Sequence, residues 1–159
     1  GFILIFAPIM AFVTESVKDK NEVWLITIVA HFLVILFLLP LYSYRFTSSF
    51  SIVVIEILNR FFGKSKPVQL ASNYIAGFLF SISITFLYYV SFSFPQKALI
   101  LSSMTQLINM FGSIILILFI DPRIMGAIDD GAGYKEIKIL TTSRILVHIT
   151  LVLILICIR

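Results

Sequence analysis

From Ala98 to Ile120 the chain runs without a charged residue, and the polar residues in that stretch collect on one side. Its 23 positions give a helix of about 34 Å, enough to cross a bilayer. At ~100° per residue, Ser102, Thr105, Gln106, Asn109, Gly112 and Ser113 fall within about a third of the circumference, with Ser103 outside the stripe. Amides and hydroxyls in hydrocarbon need partners, so this face is expected to look at other helices or a wet cavity. The stretch then meets Asp121-Pro122-Arg123, which predicts a charged corner where the helix stops. A one-sided polar span ending in such a corner fits a transport protein better than a simple anchor.

The rest of the chain supports a membrane setting. With 60% hydrophobic and 13% charged residues, a soluble fold of 159 residues could not hide its apolar surface. Trp24, Tyr42, Tyr44, Tyr88 and Tyr89 sit near predicted span ends, as an interfacial aromatic belt does. The net charge of +4 comes from cations spread over loops between apolar runs, which explains orientation better than nucleic-acid binding. The single cysteine, Cys157, excludes an internal disulfide and supplies no metal site. The opening apolar run, Gly1 to Val13, is too short to span and lacks signal-peptide features. It is expected to be the end of a truncated helix, so residues 1–159 are taken as one integral membrane domain whose N-terminal helices are missing.

The expected fold is all-α: a polytopic membrane helix bundle of about four full spans, the truncated N-terminal helix and one interfacial amphipathic helix. The spans are placed at Val23 to Leu41, Leu70 to Val90, Ala98 to Ile120 and about Thr141 to Ile158. Between the first two, Arg45 to Lys66 carries Phe50, Val53, Val54, Ile57, Leu58, Phe61 and Phe62 at helical spacing, opposite Ser49, Glu56 and Arg60. That pattern predicts a helix lying in the interface, with Arg60, Lys64 and Lys66 at headgroup level. Gly77, Ser81 and Thr85 recur every four residues and predict a small-residue packing face. Ser91 to Lys97 reads as a hinge, and Asp121 to Lys138 as a hydrophilic loop. The loops after the first and third spans hold Arg45, Arg60, Lys64, Lys66, Arg123, Lys135, Lys138 and Arg144, against Lys18, Lys20, Lys97 and Arg159 on the other side. The positive-inside tendency therefore places the amphipathic helix and the Asp121 loop in the cytoplasm.

Chemistry-bearing residues are few. Asp129 and Asp130, with Asp121 nearby, lack the spacing of membrane phosphotransferases or prenyltransferases, so a solvated acidic turn is expected, with no metal and no cofactor. His31 and His148 lie within spans, where a neutral histidine bonded between helices competes with a proton-carrying role. No nucleophile with an orienting partner is visible, and no enzyme activity is expected. Arg144 is placed at the start of the last span, where it either snorkels to the interface or turns inward to an anion, Asp121 or a phosphate. Asn109, with Gln106 close by on the stripe, either makes an interhelical hydrogen bond or lines a cavity.

Three stretches together resemble the Amj-type lipid II flippases, bacterial multi-pass proteins that serve as an alternate to the MurJ flippase. They are Ala7-Pro8-Ile9-Met10 before a charged loop; Ser102-Ser103 through Ile108-Asn109 with Ile120-Asp121-Pro122-Arg123 and Asp129; and Ser143-Arg144. Pro95, ahead of the striped helix, is similar too. Met110 and Phe111, and Ile145 to His148, depart from the family's small residues at those places. The resemblance implies translocation of a polyprenyl-pyrophosphate-linked peptidoglycan precursor across the bacterial cytoplasmic membrane. Gln106 and Asn109 would then line a groove, Arg123 and Arg144 would meet the pyrophosphate, and Asp121 would belong to the same mouth. Membrane lipids are the other expected partners, and a homo-oligomer is compatible. A small-solute transporter, or a structural membrane subunit without transport activity, remains an alternative.

Overall fold

Among the described residues many long apolar side chains face outward, while about half of the buried ones are polar. The computed structural model describes residues 19–42 and 67–158. The expected N-terminal helix and the amphipathic helix with Arg60, Lys64 and Lys66 lie outside the described residues.

Helix α1 is Lys20–Leu38, capped by the Asp19 carboxylate, which accepts from the Asn21 amide at 3.1 Å. It passes into a 3-10 segment, Leu39–Tyr42, at Pro40. Proline cannot donate to the α-helical ladder, which is why the α-helix ends three residues before the predicted limit. Helix α2 is Pro67–Ser93, α3 is Ala98–Ile115, and α5 is Gly133–Ile158, with a short helix α4, Asp121–Asp129, between the last two. Four helical stretches are long and apolar enough to cross a membrane: Lys20–Leu38, Val68–Ser93, Pro95–Asp129 and Gly133–Ile158. Among the described residues there is no strand.

The Asp121 to Lys138 loop is a correction. Instead of stopping, α3 widens into a π-turn over Leu116–Ile120, where the Asp121 amide reaches back five residues to the Leu116 carbonyl, and α4 follows at once. Pro122 has no amide hydrogen, and its ring would crowd the carbonyl four residues back in an unbroken α-helix; the wide turn relieves both. At the first turn of α4 the same proline is favourable. The stop comes later, at Gly131 (φ 69°), where the Ala132 amide bonds the Ala127 carbonyl and the Gly131 amide bonds that of Ile128. This paired pattern closes a helix end. The Asp129-Asp130 turn is thus a helix terminus, and α5 begins eight residues before the predicted Thr141.

Helix α5 is the centre of the bundle, with half of its apolar stretch buried. Helix α1 packs on it antiparallel. At one end Trp24 and Ile28 meet Val152 and Leu155; at the other, Ile35, Leu38 and Leu39 meet Ile145. The Trp24 indole donates to the Leu155 carbonyl at 2.7 Å. Yet these apolar contacts are small beside what is left outside: Leu25, Val29, Phe32, Leu33, Leu36 and Phe37 form the exposed face of α1. The buried set includes Thr27, His31, Asn73, Ser83, Thr85, Thr105, Glu136, Thr141, Thr142, Ser143 and His148. In water this arrangement would be unstable; in hydrocarbon, helices gain nothing by hiding leucine from lipid, and polar contacts hold them together.

Candidate functional site

The buried polar groups form a seam along one face of α2. The four-residue repeat of Gly77, Ser81 and Thr85 extends backward to Asn73 and Gln69, so five turns of α2 present short or polar side chains in a row. Helices α1, α4 and α5 deliver their polar groups to this face.

At the end of the seam near α4, the Arg123 Nε donates to Glu136 Oε2 at 3.0 Å and its Nη2 to Asn73 Oδ1 at 3.0 Å. Three helices are tied by one guanidinium. Ser143 Oγ lies within reach of both the Ile139 carbonyl of its own helix and the Leu70 carbonyl of α2, and its one hydrogen serves either. Two polar atoms here, Asn73 Nδ2 and Gln69 Oε1, are buried without a partner among the described residues, a donor and an acceptor one turn apart. Asn73 is itself fully buried.

Arg144 comes next. It is the twelfth residue of α5, about 16 Å from the helix start, because α5 begins before the predicted span with turns that carry Lys135, Glu136 and Lys138. Its guanidinium lies against the backbone of Gly77, where an added Cβ would come within 2.9 Å of Nη1, 3.2 Å of Cδ and 3.3 Å of Cζ. The small residue makes room for a cation, which is a different use from the close helix packing expected of it. Arg144 makes no ion pair or hydrogen bond among the described residues. Asp121 is exposed and does not pair with it, so of the two anions the sequence offers for an inward-turned Arg144, Asp121 is not the partner in this arrangement.

Deeper in the bundle, His31 of α1 and His148 of α5 face each other with their Nδ1 atoms 2.9 Å apart, and His31 Nε2 lies 3.1 Å from Thr85 Oγ1. The Thr85 hydroxyl donates to the Ser81 carbonyl at 2.8 Å. Its remaining lone pairs must therefore accept from His31 Nε2–H. His31 Nδ1 is then bare, and His148 supplies the hydrogen between the two rings. The order is His148 to His31 to Thr85 to the α2 backbone. Both histidines are buried, 2% and 7% exposed. Tyr74 adds a further tie, its hydroxyl donating to Thr150 Oγ1 at 2.9 Å.

The α3 stripe is divided. Thr105 and Gly112 are buried, Ser102, Asn109 and Ser113 half-buried, and Gln106 exposed. Contact with α2 centres on the Thr105–Asn109–Gly112 line, and Gln106 lies about 60° to 120° around the helix from its members. Asn109 Oδ1 is 2.6 Å from Ser83 Oγ, which is also 2.9 Å from the Phe80 carbonyl. One hydroxyl hydrogen cannot serve both acceptors, but turning the Asn109 amide so that its NH2 donates satisfies all three groups. Asn109 thus meets a neighbouring helix, and Gln106 is not directed at it.

Sequence reasoning singled out Arg123, Arg144 and Asn109 but not Asn73 or Glu136. The ladder on α2 was the available signal for Asn73. Nothing in the spacing announces Glu136, which meets Arg123 only because α4 folds back on α5. Among the described residues no group of three or more histidine, cysteine or acidic residues is placed to hold a metal.

These features define a class: a helical bundle with several membrane-length spans, an apolar outside and a cation-bearing polar seam inside. No family model, no curated protein and no solved structure matches this chain.

Proposed function

We propose that this protein is a membrane translocator, not an enzyme, and that it moves a lipid carrying an anionic headgroup across the bilayer. The observation that carries the reading is Arg144: a guanidinium inside the bundle, given space by Gly77, with no anionic partner among the described residues. A charge that cannot reach the interface costs on the order of 3 kcal/mol by insertion scales, so a guanidinium turned into the bundle calls for an anionic partner. The buried, unpartnered Asn73 Nδ2 lies one turn from Gly77 on the same face and offers a second donor to the same ligand. Arg123 lies at the mouth of the seam, already held by Glu136 and Asn73. A phosphate or pyrophosphate suits this donor set, because two or more N–H groups can share its oxygens.

Lipid II is the substrate implied by the resemblance to Amj-type flippases, in a bacterial cytoplasmic membrane and in the service of peptidoglycan synthesis. Its polyprenyl tail would stay in lipid outside α2 and α5 while the headgroup passes the seam, with Arg60, Lys64 and Lys66 at the cytoplasmic headgroup level. The exposed Gln106 favours a second reading for its own face of α3, contact with another membrane subunit such as a second copy. The test is translocation of lipid II in proteoliposomes, and rescue of cells depleted of their usual flippase. Arg144→Gln should reduce flipping at least tenfold at equal expression. Unchanged flipping by Arg144→Gln would remove the seam from the mechanism.

A further inference from the structure

The histidine contact has a stoichiometry built into its geometry. Four ring nitrogens are involved, but the two Nδ1 atoms lie 2.9 Å apart and can hold one hydrogen between them. Two N–H groups pointed at each other across that distance would bring their hydrogens into collision. His31 Nε2 keeps its hydrogen on Thr85. His148 Nε2 is the one remaining position, so the contact accepts a single added proton and carries a charge of at most +1. A second added proton requires the rings to separate.

Among the described residues the groups nearest that charge are neutral or cationic. From α2 come the Thr85 hydroxyl and, through it, the Ser81 carbonyl. Tyr74 is engaged with Thr150. Helix α1 carries its ionisable residues other than His31, Lys20 and Glu22, in its first turn, nine or more residues away. On α5 the nearest ionic group is Arg144, one turn before His148 and therefore on the same face. No carboxylate faces the pair among the described residues. A proton added there meets the Arg144 charge across one helical turn, and an anion bound at Arg144 would cancel that repulsion.

We propose that His31 and His148 form an intramembrane proton-binding site with a capacity of one, and that anion occupancy at Arg144 is linked to its loading. The linkage rests on the anion reading of the seam; the one-proton capacity does not. Linkage is reciprocal: if the anion draws the proton in, the proton tightens the anion by the same factor. A carrier so built takes up headgroup and proton together.

The chain has only two histidines, so nitrogen-15 histidine labelling of the protein in lipid nanodiscs, prepared with a histidine-free tag, reports this pair alone. Titration should show one proton taken up by the pair, with both rings responding together, and His148→Gln should alter the His31 titration. Two rings that titrate independently, or that both become charged while remaining in contact, would overturn the one-proton site. Repeating the titration with inorganic pyrophosphate tests the linkage. Roughly tenfold tighter pyrophosphate binding to the protonated pair is expected, within the range usual for coupled sites. That gain should disappear in His31→Gln with binding itself retained. Pyrophosphate binding that is indifferent to protonation would overturn the linkage, and no pyrophosphate binding at all would overturn both the linkage and the anion reading.

Discussion

If Gly77 exists to make room for Arg144, the effect of filling it depends on whether the arginine is there. In Gly77→Ala the new Cβ sits 2.9 Å from Nη1 and 3.2 Å from Cδ. The guanidinium end must withdraw by about half an ångström to reach ordinary contact, and the less mobile Cδ by a few tenths. Overpacking of this kind costs about 1–3 kcal/mol, and the flexible end of an arginine puts the value low in that range. Against it, alanine gains up to about 1 kcal/mol over glycine within a helix. The net change in the native background is therefore from about zero to 1 kcal/mol destabilising. In an Arg144→Ala background the clash is gone, and the same substitution should stabilise by about 1 kcal/mol. The interaction energy of the cycle is about 1–2 kcal/mol. Unfolding of the four proteins by sodium dodecyl sulfate in mixed micelles measures it. Equal effects of Gly77→Ala in both backgrounds, within about 0.5 kcal/mol, would refute the argument that this glycine houses the cation.

Two further substitutions probe the ends of the seam. Glu136→Gln leaves Arg123 with a neutral partner; side-chain exposures of 19% and 6% put this below the ~3–5 kcal/mol of a fully buried pair, at about 2 kcal/mol. Replacing both, as Arg123→Met with Glu136→Gln, should cost less than Glu136→Gln alone, and the same unfolding assay decides it. Gly131→Ala forces a side chain into φ 69° and should cost about 1 kcal/mol, with Gly131→Asn milder; fraying at the end of α4, read by amide hydrogen exchange, should increase in the same order.

The spans were legible because hydrocarbon imposes a simple rule on composition, and each of the four apolar stretches from Val23 onward coincides with a membrane-length helical stretch, the first overrunning it by three residues. What failed was punctuation. Pro122 reads as a stop after Ile120, yet proline is also at home in the first turn of a new helix, and only the π-turn before it shows which role it has. The real terminus signal was Gly131, nine residues after Pro122. Without α4 and the early turns of α5, the sequence offers no view of the Arg123–Glu136 contact. The α2 ladder was half legible: Gly77, Ser81 and Thr85 were visible as a face, but their neighbours come from α1 and α5. A pairing such as His31 with His148 depends on long-range register that no local pattern encodes.

The contact between α2 and α3 differs in kind from that between α2 and α5. On the α3 side the Phe80 ring lies so close over Gly112 that a Cβ there would meet it at 3.1 Å, a rigid plug in a fitted socket. On the α5 side the two helices meet through hydroxyls, a tyrosine hydroxyl and the long stem of Arg144. Plugs resist sliding, whereas hydroxyls can exchange one acceptor for another. The two sides of α2 are therefore held differently, by a packed ring toward α3 and by exchangeable hydrogen bonds toward α5, with the Arg123 guanidinium bridging α2, α4 and α5 at one end.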